Sequence, residues 1–188
     1  MASSWMGGLP TLRQGRVSLR EIQPEDEEPI VALFRDPRVS RHLADPPRSR
    51  KAFRQFVKWS ADTRLAGRYT GFAVRQGGRT VGMMYVWVVA PGTAEIGFAL
   101  IPPMWGTGLF RTAGGLLCRF AFDVMKLHRL EMRIAVENTR AQVAVYKLGA
   151  TPEGLLRDSF FKDGRYHDSV MFRLLRPEFM ATLRGREA

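Results

Sequence analysis

A chain of 188 residues, 45% hydrophobic and 25% charged, has the length and balance of one globular domain, which excludes wholesale disorder and fibrous repeats. No run of about 18 apolar residues occurs, so no membrane span is expected. Residues 1–16 lack the apolar stretch behind a basic start that a secretory leader needs. The single cysteine, Cys118, has no internal partner and no Cys/His cluster has zinc spacing, so no metal is expected and a reducing cytoplasm is the expected setting. The net charge is +11, from 29 Lys and Arg against 18 acids. Between Arg35 and Arg68 stand ten basic residues and three acids, Asp36, Asp45 and Asp62. Such a segment attracts an anionic partner, nucleic acid or a ribosome among them, or is simply a solvated surface; composition does not separate these.

Residues 1–11 read as a flexible tail, 12–178 as the domain and 179–188 as a second tail. Arg16–Arg20 alternates polar and apolar, a first short strand. Pro24 and four acids then open a helix with Ile30, Leu33 and Phe34 as its apolar stripe, closed by Asp36-Pro37. A second helix is expected from Ser49 to Leu65, with Phe53, Phe56, Val57 and Ala61 at helical spacing. From Thr70 the period becomes two. Phe72–Val74, the turn at Gly77-Gly78, a strand over Val81–Val89, a turn at Pro91-Gly92 and a fourth strand over Ala94–Ile101 follow. A helix runs from Gly108 to about Lys126, then a fifth strand over Leu130–Val136. Asn138 caps a short helix that Gly149 ends, and a hairpin turns at Asp163-Gly164. The order β-α-α-β-β-β-α-β-α-β-β predicts an α/β (α+β) fold, a mixed sheet with helices on both faces.

The feature that carries chemistry is a strand running into Trp105-Gly106-Thr107-Gly108 and then a helix. Glycines let a ligand approach the backbone, and the first helical amides point outward unpaired, which suits phosphate or pyrophosphate. A P-loop is excluded because no Gly-Lys-Ser/Thr follows, and the spacing disfavours a dinucleotide fold.

The chain resembles the GNAT superfamily of acyl-CoA N-acyltransferases, and within it the branch of Rim-type ribosomal-protein N-terminal acetyltransferases. The resemblance spans residues 12–178 and rests on Val17–Arg20, Ala94–Phe98, Pro103–Gly108, Glu137–Thr139, Lys147–Gly149 and Gly164–Ser169. It implies a mostly antiparallel sheet splayed open between the fourth and fifth strands, with acetyl-CoA as co-substrate in the gap. The pantetheine arm would follow the backbone of Phe98, Ala99, Leu100 and Ile101. The pyrophosphate would sit against the loop Trp105, Gly106, Thr107, Gly108, Leu109, Phe110 and Arg111, and Asn138 would reach the cysteamine end. The implied activity is acetyl transfer to a primary amine, a protein N-terminus or a small amine, by direct attack. Some positions depart from the family pattern. Phe110 is bulky where a small residue is usual, Ala141 replaces a common serine, and Val145 stands where relatives carry an acid tyrosine, with Tyr146 about 100° round the helix.

Among single residues, Glu95 is the candidate general base, set against a plain surface glutamate. His42 reads as solvent-exposed, His128 and His167 as structural, Asp168 as an architectural partner and Cys118 as core. Met83, Tyr85 and Trp87 share one face of the third strand and read as core packing rather than an aromatic acceptor cage. Two other functions stay open on sequence alone: a catalytically impaired CoA-binding module, and a basic RNA- or ribosome-associated protein. Whether the chain forms a homodimer is also left open.

Overall fold

The structure, a computed structural model, describes residues 4–44 and 46–184; Asp45 and the outer parts of both expected tails, 1–3 and 185–188, lie outside the described residues. An eight-stranded sheet organises the chain. Its strands are β1 (Leu12–Gln14), β2 (Val17–Glu21), β3 (Tyr69–Gln76), β4 (Arg79–Ala90), β5 (Thr93–Leu100), β6 (Arg129–Ala135), β7 (Thr151–Lys162) and β8 (Arg165–Leu175). In space they run β1-β2-β3-β4-β5-β6-β8-β7. The fourth and fifth strands expected from sequence are thus β5 and β6. They form a parallel pair and all other pairings are antiparallel. The hairpins close as expected, with Gly77-Gly78 and Asp163-Gly164 both at positive φ, as a two-residue turn of this hand requires.

Helices α1 (Glu27–Arg35), α2 (Pro37–Ser40) and α3 (Arg50–Leu65) cover one face of β3–β5. There Ile30, Leu33, Phe34 and Phe53 pack with Met83 and Ala99. Helix α4 (Leu109–Arg119) covers the other face, where Leu109, Ala113 and Leu117 meet Phe72, Met84, Val86 and Ile96. Helix α5 (Thr139–Leu148) lies beside α4, and α6 (Arg176–Arg184) closes the chain. Ser49 caps α3, its side chain accepting from the Ala52 amide at 3.1 Å, which is why that helix begins after Pro46-Pro47.

Three expectations change. The stretch before residue 12 is not a loose tail where it is described: Trp5 is 4% exposed within the core, and the Leu9 amide donates to Glu21. The 179–188 tail begins instead inside α6, where Phe179 is buried against Phe122. The helix expected to reach Lys126 stops at Arg119 and widens into a π-turn over Phe120–Val124. That wider turn shifts the helical phase, so Phe122 enters the core and Val124 faces out.

Asp26 looked like a helix-start acid, but it is a buried hub, 1% exposed. It accepts from Arg20 at 2.7 and 2.9 Å, from the Gln23 amide at 2.9 Å and from Thr80 Oγ1 at 2.7 Å. Removing one partner of such a pair strands the other, so Asp26→Ala is expected to lose about 3 kcal/mol of unfolding free energy. Urea denaturation of the variant against the parent, with the slope unchanged, measures it.

Candidate active site

Pairing between β5 and β6 covers only Thr93↔Arg129, Ala94↔Leu130 and Glu95↔Glu131. Beyond Glu95, β5 continues to Leu100 bonded to β4 alone, while β6 continues to Ala135 bonded to β8 alone. The sheet forks there. A strand edge whose amides and carbonyls have no protein partner is a place for an extended ligand arm to pair. Open sheets also place ligands where a parallel crossover parts two strands.

Two cavities occupy the fork. One of about 370 Å³ runs between β5, the loop before α4, and α5; Phe98, Ala99, Leu100, Trp105, Gly108 and Arg111 help to line it. The other, of about 360 Å³, lies on the α3 side and contains Glu95, Tyr85, Trp87 and Tyr69. They share His42, Leu43, Phe98, Ala99, Asn138 and Ala141. The two cavities therefore adjoin, one beside the glycine loop and the other containing the carboxylate.

The loop owes its shape to Trp105 and two glycines. The Trp105 indole donates to the Leu100 carbonyl at 2.9 Å, tying the loop to the end of β5, and Arg140 stacks on its ring at 4.0 Å. Gly106 and Gly108 both adopt positive φ, at 75° and 84°, and a Cβ on either would meet no protein atom within 4 Å. Their glycine identity thus answers to the backbone turn and to an open space in front of it. Thr107 Oγ1 donates to the Met104 carbonyl at 2.9 Å and accepts from the Leu109 amide at 3.4 Å. The amides of Gly106, Gly108, Phe110 and Arg111 find no acceptor among the described residues. Phe110 packs on Phe98 with ring centroids 4.4 Å apart, so the bulky residue becomes a wall of the cavity beside the loop. Asn138 caps α5 through its side-chain oxygen, 3.3 Å from the Ala141 amide, at the junction of both cavities. These features fit a pyrophosphate and its extended arm.

Glu95 sits at the last paired rung. Tyr85 donates to its Oε1 at 3.2 Å, and Arg133 Nε stands 3.3 Å from Oε2. A Cβ on Gly97 would lie 2.2 Å from the Tyr85 ring, so this glycine makes room for the ring that reaches Glu95. Burial and the neighbouring carboxylate raise the Tyr85 pKa, keeping the phenol a donor. His42 is half-buried and lines both cavities, against the expectation of a solvent-exposed ring. Burial, then Arg41, lowers its pKa, so the imidazole is neutral and able to accept a proton at pH 7.

The remaining candidates stay outside both cavities. Cys118 is buried, its thiol pushed up to about 12 by desolvation, which makes it core. Val145 is buried and Tyr146 is 68% exposed, so no tyrosine of α5 stands in the family's acid position. Asp168 accepts from Arg157 at 2.8 Å and the Asp158 amide at 2.9 Å, an architectural role. Among the described residues, no group of three His, Cys, Asp or Glu could hold a metal ion, and no helix is long and apolar enough to cross a membrane. The sequence reading missed Trp59, Tyr69 and Arg133. Nothing in their local spacing marks them, because three separate elements bring them to Glu95.

A forked sheet with a glycine loop beside one cavity and a carboxylate in the adjoining one fits an acyl-CoA-dependent transferase. The family model described as an acetyltransferase (GNAT) domain matches residues 16–151, and the chain belongs to that family. Acetyl-CoA is its co-substrate. An uncharacterized N-acetyltransferase, p20 of Bacillus licheniformis, is 29% identical over 91% of this chain and 99% of its own. Two solved structures share the fold. Mycobacterium smegmatis RimJ in complex with CoA-disulfide has a TM-score of 0.80 at 20% identity, over 90% of this chain and 87% of that one. Spermidine N-acetyltransferase from Vibrio cholerae in complex with CoA and spermine has a TM-score of 0.78 at 21% identity, over 89% and 99%.

Substituting Gly108 tests the loop. In Gly108→Asp a carboxylate enters the space before the unpaired amides and the backbone must hold positive φ, so CoA affinity is expected to fall at least about 100-fold. Calorimetry on the folded variant reads the loss directly.

Proposed function

We propose that the chain transfers the acetyl group of acetyl-CoA to a primary amine by direct attack in the β5–β6 fork, with Glu95 as general base. The observation that carries this reading is the meeting of the two cavities at Phe98, Ala99 and Asn138, with the glycine loop on one side and Glu95 on the other. In this reading the amides of residues 106–111 hold the pyrophosphate. The β5 edge from Phe98 to Ile101 aligns the pantetheine arm, and Asn138 keeps its amide group toward the junction.

Attack needs a neutral amine, and an alkylamine is mostly protonated near neutral pH. Glu95, directly or through one water, takes a proton from the ammonium. The nitrogen lone pair then adds to the thioester carbonyl; as the C–S bond breaks the nitrogen releases its second proton to solvent, and the thiolate leaves and takes up a proton from solvent. With no tyrosine at the family's acid position, no side chain is assigned to that last proton. Alignment of amine and thioester supplies much of the rate. Tyr85 and Arg133 act as positioning residues, holding the carboxylate by its two oxygens.

The segment 35–68 is less free than its charge suggests. Arg38 pairs with Asp36, Arg50 and Arg54 with Glu27, and Arg64, 8% exposed, with Glu21 at 2.7 Å. Arg35, Arg41, Arg48, Lys51, Lys58 and Arg68 carry no ion pair among the described residues. In this reading they draw an anionic partner, such as ribosomal RNA, by a salt-screened attraction.

Glu95→Gln keeps the shape and removes the basicity. Turnover is expected to fall roughly 100-fold while CoA affinity holds. A pH–rate profile that overlays the parent to within about twofold would remove Glu95 from the mechanism.

A further inference from the structure

We propose that the acceptor is a small monoamine carried on an aromatic body, seated against a wall of aromatic rings with its amine toward Glu95. This names the substrate class of the site and rests on the reading of the fork as an acetyl-transfer site.

The sheet register builds the wall. Tyr69 lies opposite Trp87 across β3–β4, and Trp87 lies opposite Glu95 across β4–β5. Tyr69, Trp87 and Glu95 therefore form one cross-strand row, with Tyr85 two residues along on the same face. Helix α3 adds Phe56 and Trp59 from above. Trp59 lies 4.7 Å from Tyr69 and 6.3 Å from Trp87, and Tyr69 stacks on Tyr85 at 5.5 Å, all centroid to centroid. All five rings line the 360 Å³ cavity that holds Glu95. The expectation that Tyr85 and Trp87 are ordinary core thus changes: Met83 is buried, but Trp87 remains 42% exposed and Trp59 43%.

Two observations indicate a ligand rather than incidental exposure. The first is a phenol at the cavity wall: Tyr69 is 3% exposed and lines the space that holds Glu95. Burial raises its pKa, so the group stays protonated and able to donate within the cavity. The second is the pair of half-exposed indoles facing the same space. Such rings leave apolar surface in water unless a flat or cationic group covers them.

The charge inventory sets the number of amines. Glu95 is the single carboxylate among the described lining residues, and Arg133 already faces it. A polyamine would bring further ammonium groups beside Arg133 with no second acid among the described lining residues to neutralise them. A peptide N-terminus would lay polar backbone on a wall of ring faces. A monoamine on an aromatic ring matches one carboxylate, five rings and a cavity at the small end of ligand sites.

The test uses the full chain with 2-phenylethylamine, spermidine and an alanine-first tripeptide. The CoA-loaded protein is titrated calorimetrically, and thiol release from acetyl-CoA gives kcat and KM. 2-Phenylethylamine is expected to bind, and to exceed the other two at least about tenfold in kcat/KM. Trp59→Ala and Trp87→Ala should each raise its KM about tenfold while CoA affinity stays within about twofold, and Trp87→Phe should restore most of the loss. Preference for spermidine or the peptide, or an unchanged KM in both folded alanine variants, overturns the proposal. If other amines are acetylated and 2-phenylethylamine does not bind, the substrate class falls and acetyl transfer stands. If it binds competitively with no acetyl transfer to any amine, the aromatic site stands and the reading of the fork as its catalytic centre falls.

Discussion

Both cavities of this fold depend on how briefly β5 and β6 stay together. Three residue pairs join them before they part, and the parting leaves the far half of β5 with one bonded edge. An unpaired edge inside a protein costs free energy unless something pairs with it or water reaches it. Here the two cavities keep that edge open, and each flanking strand is secured on its other side, β5 by β4 and β6 by β8. The proline pair at Pro102-Pro103 carries the chain away from the sheet as soon as β5 ends, and Trp105 anchors the departure on the Leu100 carbonyl.

The last rung of that pair carries its own electrostatic problem. Glu95 and Glu131 are register partners, which places like charges side by side. Arginines two residues to either side on β6 answer it, Arg129 pairing with Glu131 at 2.7 Å and Arg133 with Glu95 at 3.3 Å. Half-exposed pairs of this kind contribute little to stability, so their consequence here is orientation. With Tyr85 crossing above Gly97 to reach the other oxygen, the Glu95 carboxylate is held from two sides. In the proposed role of base, the carboxylate would gain from such restraint by meeting an amine in one geometry.

Charge elsewhere is partly consumed by the architecture. Arg64 and Glu21 join α3 to β2, and Arg64 also donates to the Met6 carbonyl, securing the segment that carries Trp5. A basic composition read along the chain overstates the field that a partner meets, because pairing across elements is invisible in sequence.

The sequence by itself determined the element order, the hairpin turns and the glycine loop, because each depends on neighbours in the chain. Period-two alternation marks β3, β4 and β5; Gly77-Gly78 and Asp163-Gly164 need positive φ; Ser49 and Asn138 cap the helices that follow them. The family pattern around Ala94–Phe98 and Trp105–Gly108 was equally legible. Tertiary structure alone decided what surrounds Glu95. Tyr69, Trp87 and Glu95 lie on three strands, and only the β3–β4 and β4–β5 registers make them one row. Phe56 and Trp59 sit on a helix whose visible period predicted Phe56 in the core, and only packing turned it and Trp59 over that row. Asp26 and Trp5 became buried for the same reason: long-range contacts outweigh the local signals of a helix start and a polar tail. Local rules write the elements, but a cavity is made by surfaces distant in sequence, and its lining has no pattern along the chain.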